Sequence, residues 1–493
     1  MNRQYYSLLF VMGACLLLSL VYCPPFDLQL DDKDIFRYTG MAILRGNIPY
    51  RDFFDHKPPM IFFINAAGLF LGSWGLWMIN TALALLSTLF FFKRCRQYHL
   101  PFPWLLPLLF NLMIRDNLIS LGNNMTREYT AFFTLIFFCI LLGKSKYRLF
   151  LLGLLTALIF FTQQDQVLLL IPLLIHMMAE ELALFRRNFL HLTAGFLAFT
   201  IPLLLYFALH HSLTWFWADA FRFNFTVYTT QKKSFWDHFR TVKHYLDEGN
   251  YEIPFLLALV LGVASLFLKH KRKGLVLATL ASLFLTMSPE FMGGRMSAQG
   301  GSGYFFSYYF LPLSASVCMV LFAVFAFTED PVLAGKKALL PYALLLCLSL
   351  GYTALQHGTH LQRRDQEPVL NRPELTYLRQ QHLKDYQLFV FYNGQYTWFY
   401  TDLKILAPSV WIYHHFWGQY EQWDMDHRLL QSIGEDLLRH QTTFVIMEEA
   451  LIGQFKNPAN RDWWLSFMRT YYQPVFIPDS SQTLLWRLKK ERL

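Results

Sequence analysis

Residues 30–59 read LDDKDIFRYTGMAILRGNIPYRDFFDHKPP. This stretch sets Asp31, Asp32, Asp34, Asp52 and Asp55 beside Lys33, Arg37, Arg45, Arg51, His56 and Lys57, in a chain that is elsewhere mostly apolar. It follows a strongly hydrophobic run, Tyr5 to Cys23. A polar group at membrane depth is costly unless it lines a wet cavity or is buried in protein. So dense an ionisable patch beside a bilayer points to a functional site at the membrane surface.

The rest of the chain supplies the bilayer context. Of 493 residues, 54% are hydrophobic, 18% aromatic and only 16% charged. Repeated apolar runs bounded by charge, Gly or Pro read as transmembrane helices, which excludes a soluble globular class. The net charge of +9 does not mark a nucleic-acid binder. Its basic residues fall in short clusters between apolar runs, as the positive-inside rule places them. The six cysteines show no CxxC or CxH spacing, so neither a disulfide framework nor a zinc site is expected. The first run lacks a small-residue cleavage signal before Pro24 and Pro25, and reads as a retained helix.

The clusters at Lys93–Arg94–Arg96, Lys144–Lys146–Arg148, Arg186–Arg187, Lys269–Lys271–Arg272–Lys273 and Lys336–Lys337 are assigned to the cytoplasm. Crossings then alternate over 5–23, 74–92, 101–115, 129–143, 148–162, 166–183, 189–209, 253–269, 274–289, 304–327 and 338–356. Met60 to Leu71 is apolar but short, and reads as a helix lying in the outer leaflet. The N-terminus is expected inside the cell. The polar segments 24–59, 115–128, 163–166, 210–252 and 290–303, and everything after 357, are expected outside. Segment 210–252 interleaves Trp215, Trp217, Phe221 and Phe223 with Arg222, Lys232 and Lys233, the pattern of an interfacial helix or lid. Beyond 357, the runs Gln387–Tyr392, Thr442–Glu448 and Thr483–Leu488 read as strands, and Asp424–Gln441 and Arg461–Thr470 as amphipathic helices. The expected fold class is an all-α polytopic membrane protein with about 11–13 transmembrane helices and a small C-terminal extracytoplasmic α/β domain. The expected division is a membrane module over 1–356 and an outer domain over 357–493.

Within 32–59 the residues Asp32, Phe36, Gly40, the run Gly46–Asn47–Ile48–Pro49–Tyr50 and Lys57–Pro58–Pro59 form a pattern. It resembles that of the polyprenyl-phosphate-sugar-dependent glycosyltransferases of the GT-C fold, the protein O-mannosyltransferase superfamily that includes the lipid A aminoarabinose transferases. The sequence departs from it at three places. Lys33 stands where an acidic residue usually follows the Asp, Ser307–Tyr308–Tyr309 where a His–Tyr–aromatic run opens a late helix, and Gln163–Gln164–Asp165–Gln166 where a Lys is often seen.

The resemblance implies an inverting transfer of a sugar from a polyprenyl phosphate to an acceptor outside the membrane, whether lipid A, an envelope glycan or a protein. A lipid-phosphate sugar is already activated, so no nucleotide or redox cofactor is required; a divalent metal stays open, and no metal ligands are assigned. The reaction needs a carboxylate to take the acceptor's proton and cations to hold the departing phosphate. The resemblance selects Asp32 as base, with Asp31 and Asp34 as secondary candidates that also suit helix-start or ion-pair roles. Lys57, stiffened by the two prolines, suits the phosphate, and His56 stands beside it. The resemblance also puts an acidic residue in the second outer loop, a place open to Glu128 or Asp116. Glu128 equally suits an ion pair with Arg127. Arg295, in a glycine-rich loop, is a second phosphate candidate. Membrane lipids are expected partners and the bacterial inner membrane the expected location. The competing classes are a transporter or flippase of lipid-linked saccharides, which needs charged or broken helices at mid-membrane, and a non-catalytic scaffold of the same fold.

Overall fold

The computed structural model describes residues 3–20, 22–24, 32–115, 124–228, 252–286, 310–329, 372–391, 397–412, 429–448, 452–453, 455, 457–477 and 483–489. In chain order the helices begin with α1 (Arg3–Leu20), α2 (Asp32–Leu44), α3 (Met60–Phe70), α4 (Gly75–Gln97), α5 (Leu105–Ile114) and α6 (Thr126–Leu141). Then come α7 (Arg148–Thr162), a 3-10 turn at Gln164–Leu170, α8 (Ile171–Glu180), α9 (Phe185–Leu209) and α10 (Leu213–Trp217), which runs into π turns at Ala218–Arg222 and Asn224–Tyr228. The chain continues with α11 (Glu252–Phe267), α12 (Lys273–Thr286), α13 (Leu313–Phe327) and α14 (Pro373–Gln380). Strand β1 (Leu388–Phe391), α15 (Trp398–Leu403), α16 (Leu429–Arg439), β2 (Phe444–Glu448), α17 (Pro458–Tyr471), β3 (Tyr472–Val475) and β4 (Thr483–Leu488) complete it.

By internal packing the chain forms two compact units. One comprises Met1–Asp27, Ser73–Tyr206 and Gln231–Asp365; the other comprises Leu28–Gly72, Phe207–Thr230 and Gln366–Leu493.

The first unit is the membrane body. Among the described residues two helical stretches, Gly75–Gln97 and Leu182–Leu209, are long and apolar enough to cross a bilayer alone, and seven shorter apolar helices accompany them in the chain. Helix α6 is buried along nearly its whole length, and α13 likewise; they form the core against which α4, α5, α7, α11 and α12 pack. At the periphery, Leu197, Ile201 and Leu205 on α9 and Leu256, Val260, Val263 and Phe267 on α11 lie exposed. Stripes of large apolar side chains at helical spacing would drive aggregation in water; in hydrocarbon they are the lipid-facing surface of an integral membrane protein. Helices α7 and α9 cross at Gly153 and Gly195, where a Cβ on either would run into the other helix's backbone at Leu192 or Phe150. Small residues let membrane helices approach that closely.

The second unit combines the short helices α2 and α3 with a four-stranded sheet of order β1-β2-β4-β3. Strands β1 and β2 are parallel, while β4 is antiparallel to both of its neighbours. The sheet core is Phe389, Phe391, Val445 and Met447 packed under Trp464 of α17 and Leu437 of α16. Helix α3 has 11 residues, about 16 Å of helix and far short of the roughly 30 Å of a bilayer core. It packs backbone-to-backbone on α2, because a Cβ at Gly40 would stand 2.7 Å from the carbonyl carbon of Asn65 and 2.8 Å from the nitrogen of Ala66. That contact accounts for the small residue of the 32–59 pattern.

Candidate active site

The first turn of α2 and the turn before α3 build one side of the site, both within the second unit. Asp32, Lys33 and Asp34 are all buried at the start of α2. A helix N-terminus favours negative charge, so two carboxylates there are stable where a mid-helix pair would not be. The returning turn is set by local geometry. Gly46 sits at φ 91° and Tyr50 at φ 68°, and Asp52 Oδ2 accepts the Ile48 N–H at 2.7 Å while the Arg51 guanidinium forks onto both oxygens of Asp52. The buried Tyr50 ring lies among Phe62, Phe207 and Phe216, and its hydroxyl donates to the Lys57 carbonyl at 2.8 Å. The Lys57 N–H donates to Asp55 Oδ1 at 2.9 Å. Both peptide groups of Lys57 are thus fixed just before Pro58 locks the next φ.

The side chains then fall into a chain of charges. Lys57 Nζ lies 4.0 Å from Asp32 Oδ2, with 11% and 8% of the two side chains exposed. The same ammonium is 3.2 Å from His56 Nε2. An ammonium can only donate, so Nε2 must carry the lone pair and the ring proton sits on Nδ1. Nδ1 faces Asp55 Oδ1 at 3.7 Å. Carboxylate, imidazole, ammonium and carboxylate therefore follow one another in the order Asp55, His56, Lys57, Asp32. The segment after α10 closes over the far end: Asn224 Nδ2 donates to the His56 carbonyl at 2.7 Å, and Phe223 packs on Phe54 and His56. Burial and the facing charge of Asp55 push the Asp219 carboxyl up to about 8.

A second polar cluster belongs to the first unit. The Arg115 guanidinium, 1% exposed, donates to Glu128 Oε1 and to Asn80 Oδ1, each at 2.6 Å. Glu128 Oε2 accepts the Asn124 N–H at 2.9 Å, and Tyr129 donates to Asn124 Oδ1 at 3.1 Å. Tyr22 and Phe132 present ring faces to Arg115 at 5.6 and 5.7 Å, a cation–π sandwich. The next residue of α6, Arg127, reaches Asp165 Oδ2 at 2.8 Å, and Thr126 donates to Gln163 Oε1 at 2.9 Å. The start of α6 is thereby sewn to the Gln163–Gln166 turn.

No family model matches the chain, and no curated protein matches it by sequence. Its architecture does have solved counterparts. ArnT from Cupriavidus metallidurans bound to undecaprenyl phosphate superposes over 100% of this chain and 99% of that one, with a TM-score of 0.63 at 10% identity. This chain shares the ArnT fold. ArnT in the apo state superposes over 98% of each chain with a TM-score of 0.57, again at 10% identity. Likeness at so low an identity speaks for architecture alone, and it makes the fold the GT-C type expected from residues 32–59.

Within this ArnT-like fold, the sequence candidates distribute as follows. Asp32, Asp34, His56 and Lys57 come together in the second unit. Glu128 lies in the first, paired with Arg115 rather than with its neighbour Arg127. Asp31, Asp116, Arg295 and Ser307–Tyr308–Tyr309 lie outside the described residues. Among the described residues no group of three or more His, Cys, Asp or Glu side chains is arranged to hold a metal ion. Sequence reasoning passed over Asp219, Tyr50 and Arg115. The Pro49–Tyr50 step in the pattern was a signal for Tyr50, whereas nothing in the aromatic-rich 210–252 run marks Asp219 as the partner of Asp55.

Proposed function

We propose that this protein is an inverting glycosyltransferase that takes a sugar from a polyprenyl-phosphate donor and passes it to an acceptor hydroxyl on the outer side of a bacterial inner membrane. One observation carries the reading: a buried lysine and a buried aspartate side by side, 4.0 Å apart, presented from the two helix starts of the 32–59 pattern. The ArnT fold adds support, because the similar ArnT structure holds undecaprenyl phosphate.

The chemistry follows from the two charges. Asp32 accepts the proton of the acceptor hydroxyl as its oxygen attacks the anomeric carbon from the face opposite the phosphate. The bond from that carbon to the phosphate oxygen breaks, and the electron pair leaves with the phosphate. Lys57 stabilises the charge growing there. His56, accepting from Lys57, keeps that ammonium aimed, and the stack of Tyr50 and Asp55 on its peptide groups pre-organises it. Glu128, with both carboxylate oxygens engaged, serves as a positioning residue for the start of α6. Lipid A, another envelope glycan and a protein are the acceptor classes. Neither nucleotide nor redox cofactor enters the scheme. The N-terminus lies inside, and the site and the C-terminal α/β domain outside.

The test is transfer from a radiolabelled polyprenyl-phosphate sugar by purified protein in lipid nanodiscs, with envelope glycolipid as acceptor. Asp32→Asn is expected to lower the rate about 10³-fold while donor binding persists, and Lys57→Ala to weaken binding of the polyprenyl phosphate itself. Unchanged transfer by Asp32→Asn removes it as the base.

A further inference from the structure

The C-terminal part of the second unit reaches back to the residue triplet that bears Lys57. The Phe54 N–H donates to the Val410 carbonyl at 2.8 Å, and the Phe54 ring lies 4.7 Å from Trp411. That ring belongs to the same buried cluster as Phe389 and Phe391 of β1 and Trp464 of α17, so a residue of the outer loop is part of the core of the sheet. Asp55, His56 and Lys57 follow it directly.

Helix α2, which carries Asp32, is held from the same source. The Tyr38 phenol oxygen accepts the Ala407 N–H at 2.9 Å, and its ring packs on Tyr400 of α15 at 5.4 Å. Immediately after the end of the helix, the Arg45 guanidinium forks, with Nη1 on Asp385 and Nη2 on the Lys404 carbonyl at 2.6 Å. The same oxygen of Asp385 accepts the Leu406 N–H at 2.9 Å, so the carboxylate that receives Arg45 also shapes the 404–407 turn. Asp32 and Lys57 stand on separate arms of chain, and both arms are tied to residues 385–411.

We propose that the C-terminal α/β segment is a positioning element that sets the separation of Asp32 and Lys57, acting through Arg45 and Asp385 on one arm and through Phe54 and Trp411 on the other. The inference rests on the transferase reading for its consequence, but its physical content is independent of it. A fork of two hydrogen bonds to a carboxylate and a carbonyl is directional, and misplacement by about 1 Å at a reacting pair costs on the order of 10²-fold in rate. The α/β segment thereby acts on the chemistry without touching substrate.

The experiment uses the full chain in nanodiscs and two readouts, amide hydrogen exchange over 36–44 and 53–58 by mass spectrometry and the transfer assay above. Arg45→Glu and Asp385→Arg alone are each expected to speed exchange at 36–44 about tenfold and to lower kcat about tenfold with little change in donor KM. The double variant R45E/D385R restores opposite charges at the two positions but neither the donor to the Lys404 carbonyl nor the acceptor for the Leu406 N–H, and is expected to recover only part of both. Trp411→Ala loosens the other arm and is expected to raise exchange at 53–58 without affecting exchange at 36–44. Arg45→Lys, which keeps the charge but loses the fork, gives an intermediate effect and covers the case in which a reversed charge prevents folding. Exchange at 36–44 unchanged in Arg45→Glu and Asp385→Arg, or exchange at 53–58 unchanged in Trp411→Ala, overturns the proposal. Silence of the wild-type protein in the transfer assay would strike at the transferase reading alone, because exchange reports the tether whether or not a sugar moves.

Discussion

Two buried ion pairs, one in each unit, are built on different plans. Arg115 and Glu128 touch at 2.6 Å, are 1% and 0% exposed as side chains, and make further hydrogen bonds to Asn80 and the Asn124 backbone. Lys57 and Asp32 stand 4.0 Å apart, beyond hydrogen-bond contact with each other, and the lysine leans on a neutral imidazole. A pair in direct contact in a dry interior resists change, since removing one partner strands a charge. A pair held open by its surroundings is arranged to receive something between or beside its charges. Under the proposed transferase reading, the contrast separates a structural pair from a reactive one better than the identity of the residues does.

The largest effects should divide along that line. Asp32→Asn is expected to cost about 10³-fold in transfer and less stability than breaking the Arg115–Glu128 contact. Arg115→Ala or Glu128→Gln is expected to cost about 3–5 kcal/mol in stability, read as a fall in the thermal unfolding midpoint in detergent. If Glu128→Gln leaves the midpoint unchanged and Asp32→Asn lowers it, the two pairs have been assigned the wrong way round.

A smaller effect sharpens the comparison on the reactive side. Gly40→Val drives a side chain into the α3 backbone at Asn65 and Ala66, and neither backbone atom can yield as a side-chain tip would. Overpacking of this kind costs about 1–3 kcal/mol. Because α2 carries Asp32, transfer should fall alongside stability, whereas Gly13→Val, with open space around its Cβ position, should change neither.

The membrane helices were legible because composition and length decide them: the runs 5–23, 74–92, 148–162 and 253–269 fall on α1, α4, α7 and α11 to within a few residues. Three strands were legible for the same reason, as β-branched and aromatic runs. Strand β3 was not. Its sequence, Tyr472–Gln473–Pro474–Val475, follows α17 with no turn signal and includes a proline, tolerated because β3 is the edge strand of the sheet. Helix α2 was concealed by its own charges, and the sequence showed only a polar segment. Its buried Ile35, Phe36, Tyr38 and Ala42 lie on a helical face that only the contact with α3 makes meaningful. The partner of Glu128 was hidden by distance. The adjacent Arg127 competes for attention, but its own ion partner is Asp165, and the long-range choice of Arg115 is a tertiary fact. Motif spacing brought Asp32 and Lys57 together in the reading; no local rule could bring Asp219 to Asp55.

The electrostatic influence of Asp55 on Asp219 yields a further prediction, and its sign is fixed by linkage. Asp219 holds its proton up to about pH 8 in the folded protein, whereas an unfolded aspartate releases it near pH 4. Below about pH 4 both states carry the proton and the group contributes no pH dependence. Between the two values the folded state binds more protons than the unfolded one. Stability therefore falls as pH rises across that window, by at most about 1.4 kcal/mol per pH unit, and levels off once the folded carboxyl ionises beside Asp55. Asp219→Asn cannot ionise, so its unfolding midpoint should change less between pH 5 and pH 8 than that of the wild type, and the variant should be the more stable protein at pH 8.5. The measurement is a pair of thermal unfolding series in detergent over that range. Parallel curves for the two proteins would mean that Asp219 is ionised throughout and that Asp55 does not face it as a charge. The reactive pair would then lose its buffered neighbour, and the Asp55–His56–Lys57 sequence would have to be held by the Lys57 N–H and the Tyr50 hydroxyl alone.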